Sequence, residues 1–313
     1  MECERTAPLT DQLTLFDRPL MRQRLLRARA QGFADFLVER AAADLADRLA
    51  LVTRRFPIAL DLGTPTPAAV RVLAAREGTE RVVRLAPVPE AAMQEADGST
   101  PALSVVADEE RLPLADGSLS LVVSLLTLQS VNDLPGALVQ IRRALRPDGL
   151  FIGCFLGGGT LTELRQALTE AESEIEGGVS PRVAPFADMR DAGSLLQRAG
   201  FTLPVTDIEP VTVRYSHPLS LMRDLRAMGL ANALTARRRS PLRRATLLRA
   251  LDIYIDRFAD PDGKVRATFE MIWLSGWAPH GSQQKPLKPG SARARLADAL
   301  KAAETSAGEK AGG

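Results

Sequence analysis

Five residues in the first half of the chain have types and spacing suited to recognising one small ligand: Asp61, Gly63, Asp108, Glu109 and Ser124. Asp61-Leu62-Gly63 closes an apolar run that begins at Ile58. Asp108-Glu109 follows Ser104 to Val106, and Ser124-Leu125 ends the run from Leu119. Each run reads as a short buried strand. In an open α/β sheet, ligands bind beyond the carboxyl ends of the strands, near a switch in strand order. Three strand ends then converge on one crevice. Its chemistry suits an adenosyl ligand, with one carboxylate for an ammonium group, one for an adenine amino group, and close backbone approach at Gly63. Taken singly, the signals have plainer readings: Asp61 as a helix-capping carboxylate, Asp108 and Glu109 as a solvated loop pair. The ordered set points to a site.

The elements that must position these groups alternate. Periodicity predicts a helix over 33–55, ended by Pro57, then a strand from Ile58 to Leu62 and a helix from Ala68 to Arg76. Strands follow at Arg81 to Leu85, Ser104 to Val106 and Leu119 to Leu125, then a helix from Leu134 to Leu145. Arg146-Pro147-Asp148-Gly149 reads as a turn before a strand from Leu150 to Phe155. This order predicts a doubly wound, Rossmann-like α/β domain with a parallel sheet and right-handed crossovers. Beyond Gly157-Gly158-Gly159, read as a flexible hinge, helices are expected over Leu161–Glu174 with Thr160 as N-cap, Asp191–Ala199, Pro218–Met228 and Leu242–Phe258. Strands are expected over 205–215 and Thr268–Trp277. The chain divides into an arm (1–32), a ligand-binding core (33–156), a half carrying the substrate or partner region (157–281) and a polar, largely disordered tail (282–313) with a short helix at 292–302. In the arm, Arg22, Arg24, Arg27 and Arg29 do not share one narrow helix face. Either they are solvated, or the arm closes over a pocket and meets an acidic partner.

Composition removes several classes. The 313 residues are 45% hydrophobic and 25% charged, enough for a core. A net charge of +2 does not argue for nucleic acid, and 4% aromatic residues offer no stacking platform for single strands. Cys3 and Cys154 form no disulfide framework, and with only His217 and His280 no metal site is expected. No apolar run is long enough to span a membrane and the N-terminus lacks a signal-peptide core, so a cytoplasmic protein is expected. Arg237-Arg238-Arg239 with Arg243 and Arg244 is the densest basic run, either a solvated helix end or a docking patch for an acidic protein or lipid headgroups. Trp273 and Trp277 are expected in the core. Tyr215 and Tyr254 are candidates for reaching the pocket.

The runs Asp108-Glu109-Glu110-Arg111-Leu112-Pro113-Leu114, Ser118 to Ser124 and Leu145-Arg146-Pro147-Asp148-Gly149 resemble the core of class I S-adenosylmethionine-dependent methyltransferases. Leu15-Phe16-Asp17-Arg18, Val131-Asn132-Asp133-Leu134-Pro135, Glu176 to Pro181, Pro185-Phe186, Asp224 to Gly229 and Gly276 to His280 narrow the resemblance. They are similar to the branch that contains the mitochondrial complex I assembly factor of methyltransferase fold and its proteobacterial relatives. Malonyl-carrier methyltransferases are more distant kin. The resemblance implies S-adenosyl-L-methionine as cofactor, with Asp61, Gly63, Asp108, Glu109 and Ser124 as its contacts. It implies a role in maturing or assembling NADH:ubiquinone oxidoreductase by acting on a protein subunit, including arginine hydroxylation. It also places His280 in a motif that suggests the pocket mouth. The alternatives are a small-molecule or carrier-acid methyltransferase, and a scaffold whose cofactor motif has degenerated.

The chain departs from the family pattern at chosen places. Pro65 and Pro67 replace two loop glycines, which fixes φ and removes N–H donors. Ala86 stands where an acid usually meets the ribose hydroxyls, and Glu90 comes a turn too late. Gln129 takes the place of a common histidine. A lost ribose carboxylate removes a charge-assisted bond of roughly 1.5–3 kcal/mol.

Overall fold

Strands β1 (Ile58–Leu62) and β4 (Leu119–Leu125) lie side by side and parallel, and the order in which successive strands are added to the sheet switches sides between them. The computed structural model describes residues 14–89, 103–185 and 189–284. Its sheet has the order β3-β2-β1-β4-β5-β7-β6, with β2 (Arg81–Ala86), β3 (Leu103–Val106), β5 (Leu145–Leu156), β6 (Thr202–Tyr215) and β7 (Val265–Trp277). The first five strands are parallel, β7 runs antiparallel to β5, and β6 antiparallel to β7. The parallel strands need crossover helices, which cover both faces and explain why β4 is buried along its whole length. The two halves read from the sequence on either side of residue 156 therefore share one sheet.

Helices α2 (Phe36–Ala50), α3 (Ala68–Ala75), α5 (Thr162–Glu176), α7 (Pro218–Ala227) and α8 (Arg244–Phe258) contribute to a core on one face of the sheet. Helix α4 (Leu134–Ala144), with Leu138 and Ile141 inward, and α6 (Met189–Arg198) contribute to the other. Asp133 caps α4 by accepting from the Gly136 amide at 2.8 Å, with a proline in the first turn where no N–H is needed. Residues Met1–Pro279 form one unit and His280–Gly313 another. Among the described residues, no helix is long and apolar enough to cross a membrane.

Several boundaries differ from the sequence reading. Helix α2 stops at Ala50, before the backbone restriction that Pro57 imposes, and Phe56 turns into the core. The expected turn over 146–149 lies inside β5, where a register shift lets Leu119 pair with Leu145 and Leu121 with Leu150. Asp148 absorbs that bulge at φ +63°. Thr160 does not cap α5: its hydroxyl bonds the Glu270 backbone, and Leu161 occupies the cap position at φ +54°. Gly157 and Gly159 are packing positions rather than a hinge, since a Cβ at either would lie 2.3 or 2.5 Å from the Glu270 carboxylate. Glu90, Cys3 and the expected helix at 292–302 lie outside the described residues.

Candidate functional site

The crevice forms where β1, β2, β3 and β4 end. Gly63 turns the chain out of β1 at φ +74°, its amide donating to the Leu85 carbonyl at 2.7 Å. A side chain at this position would meet Thr127 Cγ2 at 2.7 Å and Glu109 Oε1 at 3.0 Å, so only glycine lets the loop and both walls approach this closely. Thr127 donates to the Gly63 carbonyl at 2.6 Å, and Thr64 Oγ1 accepts from the Leu125 amide at 3.2 Å. The turn is thus fastened to the end of β4 by two hydroxyls.

Beneath this turn lies an arginine that the sequence reading passed over. Asp61 and Arg84 are register partners across the β1–β2 ladder, both fully buried. The Arg84 guanidinium pairs with the Asp61 carboxylate and donates to the carbonyls of Thr64 at 2.8 Å and Thr66 at 2.7 Å. A buried guanidinium is stable only where carboxylate and carbonyl acceptors surround it. Here it braces the Pro65–Pro67 loop from below and neutralises Asp61. The signal was present: a charged residue inside the otherwise apolar Val82-Val83-Arg84-Leu85 requires a buried partner.

A second set of arginines comes from above, on helix α1 (Arg18–Ala30). Asp17 caps α1 by accepting from the Leu20 amide at 3.1 Å. Phe16 is held by Asn132 through both its amide and its carbonyl, and the Asp17 amide reaches the Ala233 carbonyl at 2.8 Å. The family-like segments around Phe16 and Asn132 therefore meet each other, with Phe16 on the wall of the neighbouring cavity. Arg18 donates to Asp108 at 2.9 Å, to the Ser130 carbonyl at 3.1 Å and to Glu109, while Arg22 pairs with the other oxygen of Asp108. Burial works to raise the Asp108 carboxyl, but the Glu110 amide and both guanidiniums more than offset it and hold it below the ordinary value. Arg29 reaches the Pro65 carbonyl at 2.8 Å. The described part of the arm is thus a helix, Arg18–Ala30, closing on the crevice, and the acids it meets there belong to the same chain.

Of the five sequence-predicted contacts, Gly63 and Glu109 line the crevice. Asp108 stands behind Arg18 and Arg22, and Asp61 lies under the loop on Arg84. Ser124 is fully buried and donates to the Leu62 carbonyl at 2.8 Å, which ties β4 to β1. The space left is about 70 Å³, walled by Leu126, Thr127 and Met228 among others.

A larger cavity of about 200 Å³ adjoins it, sharing Met21, Ser130, Gly229 and Leu230. Its walls are mostly apolar, among them Phe16, Leu156, Leu164 and Met222, and its polar members are Gln129, Ser130, Arg182, Arg226 and Asn232. Among the described residues, no carboxylate lines it. Arg182 is held by Glu172, a nearly fully buried acid that also accepts from the Ser180 amide at 2.9 Å and its hydroxyl at 2.8 Å. This fixes the segment ending at Ala184 as one wall. Gln129 turns its amide to the Leu126 carbonyl at 2.7 Å.

The remaining candidates have structural tasks. Tyr215 and Tyr254 are buried in the core, and Tyr254 donates to the Arg266 carbonyl at 2.7 Å. Trp273 is buried beneath the Arg48 guanidinium. His217 caps α7 through Nδ1, and His280 contacts Ser282. Arg237 pairs with Asp17 and Arg238 with Glu176, so two members of the basic run hold the fold.

A methyltransferase-domain family model matches residues 60–153. Arginine-hydroxylase NDUFAF5, mitochondrial, of Danio rerio is 41% identical over 293 residues, covering 92% of this chain and 90% of its own. The Homo sapiens protein of the same name is 40% identical, covering 92% and 83%. Malonyl-[acyl-carrier protein] O-methyltransferase of Laribacter hongkongensis is 35% identical, covering 88% and 94%. Among solved structures, the YcgJ protein of Bacillus subtilis superposes with a TM-score of 0.53 at 11% identity, covering 77% of this chain and 100% of that one. Fold, crevice and full-length similarity agree: the chain belongs to the Rossmann-like methyltransferase-fold family that includes the NDUFAF5 arginine-hydroxylases.

Proposed function

We propose that the chain is a maturation factor for respiratory complex I that acts on a protein subunit in the cytoplasm, with S-adenosyl-L-methionine as the ligand of the crevice. The observation that carries the proposal is similarity to NDUFAF5 arginine-hydroxylases over nine-tenths of both the chain and the Danio rerio relative.

The residues at the strand ends fit that ligand in part. Gly63 gives close backbone approach, and Asp108 is a carboxylate at the end of the third strand. Against this, Ala86 offers the ribose no acid, and Asp61 already holds a cation. The ligand seats only after Arg18 and Arg22 move aside. When bound, the cofactor supplies an activated methyl group on a sulfonium. The chain supplies proximity and exclusion of water: Met21, Ser130, Gly229 and Leu230 form the boundary across which an acceptor in the larger cavity would face it.

One observation favours a second reading. A cavity lined by Arg182 and Arg226, and among the described residues by no carboxylate, suits an apolar or acid-bearing acceptor better than a guanidinium, consistent with kinship to malonyl-carrier methyltransferases. The buried Asp61–Arg84 pair supports a third, a scaffold that kept the fold and partner surface. A deletion strain tests the leading proposal. Complex I content and activity are expected to fall, and normal levels of both would overturn the role.

A further inference from the structure

We propose that Arg18 and Arg22 are internal ligands of the crevice, and that the cofactor enters only by displacing them. This rests on the cofactor reading above. The carboxylate pair that would recognise the ligand's polar edge is already satisfied: Asp108 takes both arginines, and Glu109 takes Arg18. Arg18 is mostly buried, and its third partner, the Ser130 carbonyl, belongs to a residue that lines both cavities. The remaining 70 Å³ is well below the roughly 300–1,000 Å³ of small-molecule pockets. The crevice is therefore closed by charge as well as by volume.

The yielding part is the side chains. The start of α1 is fixed by Phe16 on Asn132 and Asp17 on Ala233, and Arg24 reaches the Ala231 carbonyl at 2.6 Å. A rigid helix carrying two long, flexible cations can open the crevice by rotamer change alone. Arg84 differs: it is enclosed under the loop and cannot leave without unfolding it. The crevice thus has one permanent and two exchangeable counter-ions. Apparent affinity for a ligand falls by the fraction of molecules whose competent state is populated, so release of the arginines raises it.

The test is calorimetric titration of S-adenosylmethionine into the full chain, the R18Q/R22Q variant and the R18K/R22K variant. Glutamine keeps much of the stem and removes the charge, whereas lysine keeps the charge and loses the fork. Thermal melts verify that each variant is folded, and the half-exposed Arg22→Gln single variant serves if the doubles fail. The expected result is at least about tenfold tighter binding to the glutamine variant, with the lysine variant between. Equal affinities for wild type and the glutamine variant would overturn the internal ligand and leave the cofactor reading standing. Absence of binding to all three would overturn both.

Discussion

Arg84 stands beside Asp61 across the β1–β2 ladder, and its guanidinium holds the carboxylate next to the end of β1. The pair lies in a wholly buried place, where an unpaired charge of either sign is costly. The same guanidinium takes two carbonyls of a loop in which prolines have removed N–H donors. Loop and arginine form one unit, in which the loop offers acceptors inward and the arginine satisfies them.

Arg84→Leu is expected to destabilise the fold by about 3–5 kcal/mol, because it leaves Asp61 buried without its cation. The double variant Arg84→Leu/Asp61→Leu recovers most of that loss. Urea unfolding of both variants measures it, and a single-variant loss under about 1 kcal/mol would contradict a structural pair.

Gly63→Ala puts a methyl group against Thr127 Cγ2 and requires positive φ from a residue that disfavours it. A cost of about 1–3 kcal/mol is expected in thermal or urea unfolding. Adding Thr127→Ser removes the obstructing methyl, keeps the hydroxyl bond to the Gly63 carbonyl, and recovers part of the loss.

Glu172 connects pH to the wall of the larger cavity. Burial raises its carboxyl, but Arg182 and the two Ser180 donors more than offset this and set it below the ordinary value of 4.5. A carboxyl lowered in the folded state contributes stability above its unfolded pKa and loses it as pH falls through the folded one. Melting temperature is therefore expected to fall below about pH 4.5 in the wild type and to respond less steeply in Glu172→Gln. The variant is less stable at neutral pH by about 1–3 kcal/mol and more readily cleaved near Arg182 by protease. Equal acid limbs for the two proteins would refute this assignment.

Leu164→Trp fills the larger cavity from α5 while leaving the crevice residues untouched. Cofactor binding is expected to survive and complementation of a deletion strain to fail. Full complementation would show that the acceptor does not use this cavity.

Fold and site were legible to different degrees. Apolar runs separated by helical periodicity located the strands that meet at the crevice: β1 and β4 because parallel strands buried on both faces are uniformly apolar, and the largely exposed edge strand β3 by its short apolar run alone. Gly63 and the acids at 108 and 109 were legible as strand-end residues. Arg22 was legible only as one arginine of an arm that could close over a pocket, and Arg18 and Arg84 were not read as site residues, since their partners lie 86, 90 and 23 positions away and local periodicity carries no such pairing. Ser124 was misplaced for a related reason: a hydroxyl at a strand end can face a ligand or the neighbouring strand, and register decides which. Glu270, which fills the space at Gly157 and Gly159, is more than a hundred residues distant, so three glycines read locally as a hinge.

The most direct test of the central claim, action on a complex I protein subunit, is peptide mass spectrometry of complex I subunits from wild-type and deletion strains. The expected result is an arginine-bearing peptide whose added oxygen or methyl group is lost on deletion, together with reduced complex I. Subunits of identical mass in a fully assembled complex would contradict it.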